Sequence, residues 1–303
     1  MKLASVDIGS NAIRLQVVRV YEDQDLVSFK NLQLLRFPLR LGHDVFSKGE
    51  ISPATREKFI KLMSTFKHLI DLYEVEGYYA VATSAMREAT NGDEIQQTIN
   101  NSVGLKIDII PGKKEASILN KAILHTLSDK KYVHIDVGGG STELNLIENG
   151  QLIENQSFRI GSVRQLSADE RAEVFNSIRE WLRATPFYKS KNIIGIGTGG
   201  NINRLYKLAN KASNMAISYA ELKALRAYVK EFSYEERMSI LKMNPDRADV
   251  IIPASEIYLR VMKEMGSDQI LVPKVGLKDG LVYELYEQNT QRNLNKIEYL
   301  GYQ

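Results

Sequence analysis

Two stretches of the chain carry residues that could hold phosphate. Asp7-Ile8-Gly9-Ser10-Asn11-Ala12-Ile13-Arg14-Leu15 and Asp136-Val137-Gly138-Gly139-Gly140-Ser141-Thr142-Glu143-Leu144 each run Asp-aliphatic-Gly and end on Leu, after an apolar strand-like segment. An aspartate at a strand end offers hard carboxylate oxygens that suit Mg²⁺, directly or through the waters this ion retains. Glycines behind it let backbone N–H groups crowd an anion. On this reading Asp7 and Asp136 are candidate metal ligands, and Gly9, Ser10, Asn11, Gly138, Gly139, Gly140 and Ser141 are candidate phosphate donors. Asp also stabilises ordinary turns, which is the plainer account of either aspartate alone. Two copies at the same offset favour the chemical account: two halves gripping one phosphate chain between them.

Composition narrows the chemistry further. The chain has no cysteine, which excludes a thiol nucleophile, a disulfide framework and any Cys-ligated zinc or iron–sulfur site. Its 4 histidines form no His-x-x-x-His pair, so a metal here should be oxygen-bound, which favours Mg²⁺. A net charge of +3 is too mild to indicate nucleic acid, and Lys113-Lys114 and Lys130-Lys131 read first as solvated doublets. No apolar run approaches the roughly 20 residues of a membrane span, so no membrane partner is expected. The start, Met1 to Asp7, puts an acid where a signal peptide carries its apolar stretch, which leads to a cytoplasmic expectation.

The elements that must position these residues follow from periodicity. Residues 2–7, Ile13 to Tyr21 and Leu26 to Phe37 read as a β-meander, with a polar turn near Glu22 to Asp25. Ser52-Pro53 opens a helix whose Phe59, Leu62, Met63, Phe66, Leu69, Ile70 and Tyr73 fall on one face. Strands at Tyr78 to Ala82 and Ile107 to Ile110 follow, then a helix from about Lys114 to Leu127. A second meander begins at Tyr132 to Asp136, passes Leu144 to Ile147, turns at Asn149-Gly150 and returns over Leu152 to Phe158. Ser167-x-x-Glu170, Ser218-x-x-Glu221 and Ser233-x-x-Glu236 are capping boxes; Asn192 to Ile196 and Gln269 to Val272 read as strands, and Ala248 to Met265 as a helix.

At 303 residues two domains are the better prior. The repeated pattern fits an α/β, duplicated ribonuclease H-like fold, two domains around a phosphate-binding cleft. The domains are placed at 1–118 and 119–303, with a C-terminal helix at about 285–303 as a candidate to complete the first. The competing account is a βαβ enzyme whose glycines only make tight turns. Gly195-x-Gly197-x-x-Gly200 does satisfy the dinucleotide fingerprint. The ribose-binding acid expected about 20 residues on would fall near Glu221, inside a capping box, so that account fails on context.

The two aspartate turns, with Gly195-Ile196-Gly197-Thr198-Gly199-Gly200 ahead of a helix, resemble the phosphate and nucleoside motifs of the actin, sugar kinase and heat-shock chaperone superfamily. More sharply, the chain resembles the exopolyphosphatase/guanosine pentaphosphate phosphatase family. That resemblance rests on Ala82-Thr83-Ser84-Ala85-Met86-Arg87-Glu88-Ala89, Pro111-Gly112-Lys113-Lys114-Glu115-Ala116, Gly161-Ser162-Val163-Arg164, Arg247-Ala248-Asp249-Val250-Ile251 and Gly276-Leu277-Lys278-Asp279-Gly280-Leu281, in that order. Longer members of the family add a helical module, so this chain looks like the short, two-domain form. It departs from the family pattern at Lys114, where many relatives have the first of two glutamates, and at Asn201, where Thr is common.

The resemblance implies roles. It marks Glu115 as the general base that orients the attacking water, Glu143 as a catalytic acid facing the cleft or holding the metal–water shell, and Thr198 and Gly199 as phosphate contacts. Glu115 falls in a first helix turn, where the dipole favours the carboxylate and makes it a weak base, so water positioning is its larger contribution. Arg87, in a loop after a strand, is a fork for a terminal phosphate, with a surface pair to Glu88 or Asp93 as its plainer role. The implied activity is Mg²⁺-dependent release of terminal orthophosphate from inorganic polyphosphate or guanosine pentaphosphate. A monovalent cation such as K⁺ is a further cofactor candidate, and a homodimer is compatible with the family. Two alternatives stand beside it: an acetate- or sugar-kinase-like phosphotransferase, and a non-catalytic polyphosphate or nucleotide sensor, which Lys114 favours.

Overall fold

Alternation of apolar residues builds the first meander as β1 (Lys2–Ile8), β2 (Ile13–Asp23) and β3 (Leu26–Phe37). The computed structural model describes residues 1–303 apart from 24–25, 126, 213–214, 292–295 and 301–303, so part of the expected polar turn lies outside the described residues. There follow α1 (Leu41–Lys48), α2 (Pro53–Leu72), β4 (Gly77–Ala82), α3 (Ser84–Glu88), α4 (Gly92–Ser102), β5 (Ile107–Ile109) and α5 (Gly112–Leu124). Ser52 caps α2 by accepting from the Thr55 N–H at 3.4 Å, and Pro53 sits where a missing N–H costs nothing. The helix buries Phe59, Met63, Phe66 and Ile70. Helices α1 and α4 were not expected. Neither has a side chain capping its first turn: α1 follows Arg40, and Asn91 ahead of α4 spends its side chain on the Ile51 backbone.

The second meander is β6 (Lys131–Val137), β7 (Thr142–Glu148) and β8 (Gln151–Phe158). Positive φ at Asn149 (51°) and Gly150 (71°) makes the tight hairpin that this dipeptide favours. Then come α6 (Ala168–Ala184), β9 (Ile194–Thr198), α7 (Gly200–Leu208), β10 (Ile217–Ser218), α8 (Tyr219–Lys230), α9 (Tyr234–Ser239), α10 (Pro245–Ala248), α11 (Ile251–Met265) and β11 (Gln269–Leu271). The capping boxes of α6, α8 and α9 all form. The helix expected over 248–265 forms as α11, beginning three residues later, with Ala248 closing the short α10. Pro253 lacks an N–H and its ring clashes with the carbonyl four residues back, so it is tolerated in the first turn of α11 and not in a continuous helix.

The chain closes with α12 (Leu277–Thr290) and β12 (Lys296–Leu300), where a helix at about 285–303 was expected. The Gly276 N–H donates to Asp279 Oδ2 at 2.8 Å, which starts α12 early, and Gln291 leaves it with φ 54°.

The strand orders are β12-β3-β2-β1-β4-β5 and β10-β11-β9-β6-β7-β8. In each, two antiparallel partners lie on one side of the first strand and parallel strands on the other. This is the ribonuclease H-like arrangement, present twice. β12 extends the first sheet beside β3, and β10 the second beside β11.

Two units result, Met1–His125 with Val275–Gln303, and Thr126–Lys274. The division follows α5 to its end instead of falling at 118, because α12 packs on α5 and β1. Gly280 of α12 lies so close that a Cβ there would stand 2.2 Å from the Ile118 carbonyl oxygen. In the first unit Ala4, Val6, Ile8, Ile13 and Leu15 pack with Phe59, Met63 and Ile95 on one sheet face. Leu3, Val18 and Val20 pack with Val282 and Tyr286 on the other. Strand alternation places Ser5 and Asp7 on that second face with Leu3. Among the described residues no helix is long and apolar enough to cross a membrane.

Candidate functional site

In the first unit, β1, β4 and β5 run parallel, so their C-terminal ends share one sheet edge, the usual place for ligands in α/β sheets. The turn after β1 closes with the Gly9 N–H donating to Ala12 O at 3.2 Å. Gly42 of α1 donates to Ser10 O at 2.8 Å, and the Ser10 and Ser84 hydroxyls are 2.8 Å apart. Asp7 faces Arg14 across the β1–β2 ladder and accepts from its Nη1 at 2.8 Å. Arg87 lies in the short helix α3, not in a loop. Its Nη1 donates to Ile110 O at 2.7 Å and stands 4.0 Å from Glu115 Oε2 in the first turn of α5. The Glu115 side chain is 14% exposed, largely enclosed.

Lys114 turns out to be answered within its own unit. Its Nζ bonds Glu284 Oε1 of α12, a side chain only 5% exposed. Lys121, two turns along the same face of α5, lies 3.6 Å from Glu284 Oε2 and 2.8 Å from Glu287. The charge introduced by Lys114 thus serves the α5–α12 contact.

In the second unit the Gly138–Ser141 turn is held by its carbonyls. Ser162 and Val163 N–H groups donate to Gly138 O at 3.0 Å and Gly139 O at 2.8 Å, and Arg164 Nε donates to Gly140 O at 2.6 Å. Among the described residues the Gly139 and Gly140 amides donate to no backbone carbonyl, the arrangement an anion nest requires. Gly161 permits this approach: a Cβ there would lie 2.4 Å from Gly139 O.

Asp136 has Glu143 and Thr198 as its register partners on either side. Thr198 Oγ1 donates to Asp136 Oδ1 at 2.6 Å. Glu143 is buried, and its Oε1 accepts from Ser141 Oγ at 2.7 Å and Ser157 Oγ at 2.9 Å. The Ser141 hydroxyl is therefore engaged with Glu143. Gly199 adopts φ 100°, a left-handed conformation, as β9 turns into α7. Asn201, the second departure from the family pattern, accepts from Arg247 Nη1 at 2.6 Å.

One step back along the same face of β6 sits His134, fully buried, with Nε2 2.8 Å from Thr198 Oγ1 and Nδ1 3.0 Å from Asn145 Nδ2. Burial pushes its imidazole down to about 3, so the ring is neutral. The Tyr258 hydroxyl donates to Thr198 O, and burial, then the nearby Asp136 charge, push that phenol well up.

Among the described residues no group of three or more His, Asp or Glu side chains is placed to hold a metal. Asp136 and Glu143, adjacent on one sheet face, still fit Mg²⁺. That ion is commonly bound through one or two carboxylates while it keeps several waters, whereas zinc or calcium would demand a fuller protein shell.

Residues 19–289 match the family described as Ppx/GppA phosphatase. The chain belongs to the Ppx/GppA phosphatase family. A "bifunctional 3-dehydroquinate synthase/phosphatase" of Fusobacterium nucleatum is 28% identical over 302 residues, 89% of this chain and 44% of that protein. A "guanosine-5'-triphosphate,3'-diphosphate pyrophosphatase" of Photobacterium profundum is 24% identical, over 93% of this chain and 59% of that protein. The chain thus spans about half the length of the curated relatives it matches. The crystal structure of the Aquifex aeolicus family member superposes with a TM-score of 0.75 at 27% identity, over 95% of this chain and 99% of that one.

Several residues around the Ppx/GppA motifs escaped the sequence reading. Arg14 stands at the same offset from Asp7 as Glu143 does from Asp136, a signal that was present. His134 lies two strand positions before Asp136, so period-2 alternation alone places it on the same face. Ser84 and Glu284 reach their partners from 74 and 170 residues away, which no local pattern reveals.

Proposed function

We propose that this Ppx/GppA member is a Mg²⁺-dependent phosphoanhydride hydrolase, releasing orthophosphate from the end of inorganic polyphosphate or guanosine pentaphosphate. The observation that carries the reading is the pairing of Glu115 with Arg87, 4.0 Å apart at the sheet edge where β4 and β5 end. A carboxylate that can orient water stands beside a guanidinium that can grip a terminal phosphate. The name of the Photobacterium relative supports the guanosine nucleotide as one substrate.

Phosphoryl transfer asks mainly for positioning and charge stabilisation. Glu115 holds the attacking water, whose oxygen bonds to the terminal phosphorus as the bridging P–O bond breaks. Arg87 takes two oxygens of the departing phosphate, and the water's proton passes by way of Glu115 to solvent. Within the first unit the Ser10 turn, and within the second the Gly139–Gly140 amides with Thr198 and Gly199, are the groups that offer contacts to phosphate oxygens. In the first unit Asp7 is committed to Arg14; in the second, Asp136 and Glu143 would hold Mg²⁺. Bound there, the ion supplies neutralisation of phosphate charge.

Orthophosphate release from polyphosphate and guanosine pentaphosphate, with and without Mg²⁺, tests the reading. Release that requires Mg²⁺ and falls about 10²- to 10⁴-fold in Glu115→Gln is expected. No release from either substrate, or a fully active Glu115→Gln, overturns it; tight calorimetric binding without turnover points to the sensor.

A further inference from the structure

His134 has no task in that scheme, yet it is fully buried with both ring nitrogens partnered, where an aliphatic side chain would fill the space without needing partners. The sheet places His134, Asn145, Asp136 and Thr198 on one face, and the hydrogen bonds among them have a forced direction. An ionised carboxylate only accepts, so Thr198 Oγ1 gives its proton to Asp136 Oδ1 at 2.6 Å. The Thr198 oxygen must then accept from His134 Nε2 at 2.8 Å, which leaves Nδ1 to accept from Asn145 Nδ2 at 3.0 Å. The three bonds run in one direction, from Asn145 through His134 and Thr198 to Asp136. Aligned bonds of this kind polarise one another.

A lone hydroxyl rotates to suit its surroundings. With the His134 N–H on its oxygen, the Thr198 proton has one destination. We propose that His134 is a positioning residue that, through Thr198, fixes the Asp136 carboxylate and so sets the cation affinity of the Asp136–Glu143 pair. The inference rests on reading that pair as the Mg²⁺ site. It assigns a buried side chain outside the Gly-rich motif to the ion's supporting shell, where partners of ligands typically change affinity 10- to 100-fold.

Calorimetric binding of Mn²⁺ alone to the full chain tests it, with thermal melts to confirm folding. His134→Val is expected to weaken Mn²⁺ binding about 10- to 100-fold. Thr198→Val should do the same, and the double variant should be no weaker than either single one. His134→Gln, whose amide N–H can still reach Thr198, should stay within about threefold of wild type on the same scale. Should His134→Val fail to fold, His134→Met fills the space without a donor and replaces it. A folded His134→Val or His134→Met with wild-type affinity overturns the relay, as do losses that multiply in the double variant. If Asp136→Asn weakens binding and the His134 variants do not, the relay alone falls. If Asp136→Asn binds like wild type, the cation reading falls and takes the relay with it.

Discussion

Arg14 and Glu143 stand at the same step of the duplicated hairpin: each is the cross-strand partner of the aspartate near the end of the first strand, Asp7 in one unit and Asp136 in the other. In the first unit a guanidinium closes on the carboxylate at 2.8 Å. In the second, two carboxylates lie side by side. The same ladder position therefore carries a guanidinium in one copy and a second carboxylate in the other.

This difference predicts separable defects. Arg14→Lys keeps a charge for Asp7 but loses the planar fork, and should raise KM for the phosphate chain with an unchanged Mg²⁺ requirement. Glu143→Gln should instead raise the Mg²⁺ needed for half-maximal rate. Charge-assisted bonds of about 1.5–3 kcal/mol put each effect at roughly 10- to 150-fold. Initial rates across a grid of Mg²⁺ and substrate concentrations check both.

Lys114 and Glu284 predict a charge-dependent stability of the first unit. Lys114→Glu opposes two carboxylates across the α5–α12 contact, and should cost about 2–4 kcal/mol, somewhat under the range for a fully buried pair because Lys114 is half-exposed. Adding Glu284→Gln should recover most of that loss. Urea unfolding midpoints of the single and double variants provide the comparison.

Gly161→Ala should act on catalysis more than on folding. Its methyl would stand 2.4 Å from Gly139 O, so the Gly138–Ser141 turn has to shift. A displacement of about 1 Å in a positioning group can cost 10²-fold in rate. The expected result is a kcat/KM near that loss with a melting temperature only a few degrees lower.

Acid should loosen the second unit through Glu256. Burial alone would raise its carboxyl, but Arg171 at 3.0 Å and Arg260 at 2.8 Å outweigh burial and lower it. A lowered carboxyl contributes stability above its unfolded value near 4.5, and that stability is lost as pH falls through the folded value. Glu256→Gln should cost about 1–2 kcal/mol at neutral pH, discounted for partial exposure, and should flatten the acid limb of stability below about pH 4.5. Urea midpoints measured from neutral to acid pH decide it.

Much of this architecture was legible because local chemistry agrees with it. The capping boxes at Ser167, Ser218 and Ser233, the Asn149-Gly150 hairpin and the Ser52-Pro53 start each combine a backbone need with a residue that meets it. Where that signal is missing, the reading failed: α1 begins at Arg40 with φ 58° and no capping side chain, and α12 begins at a glycine. The two Gly-rich turns were visible as sequence. What the turns rest on was not, since Gly161 under Gly139, Ser84 on Ser10 and Asn145 on His134 are contacts made by topology.

The return of residues 275–303 to the first unit makes the second an insertion within it. During synthesis, Thr126–Lys274 has emerged entire while the first unit still lacks α12, the helix that covers Leu3, Val18 and Val20. The usual N-to-C order of domain maturation is thereby inverted. The apolar sheet face left waiting for Val282 and Tyr286 leaves a nascent chain of this protein open to aggregation and to chaperones.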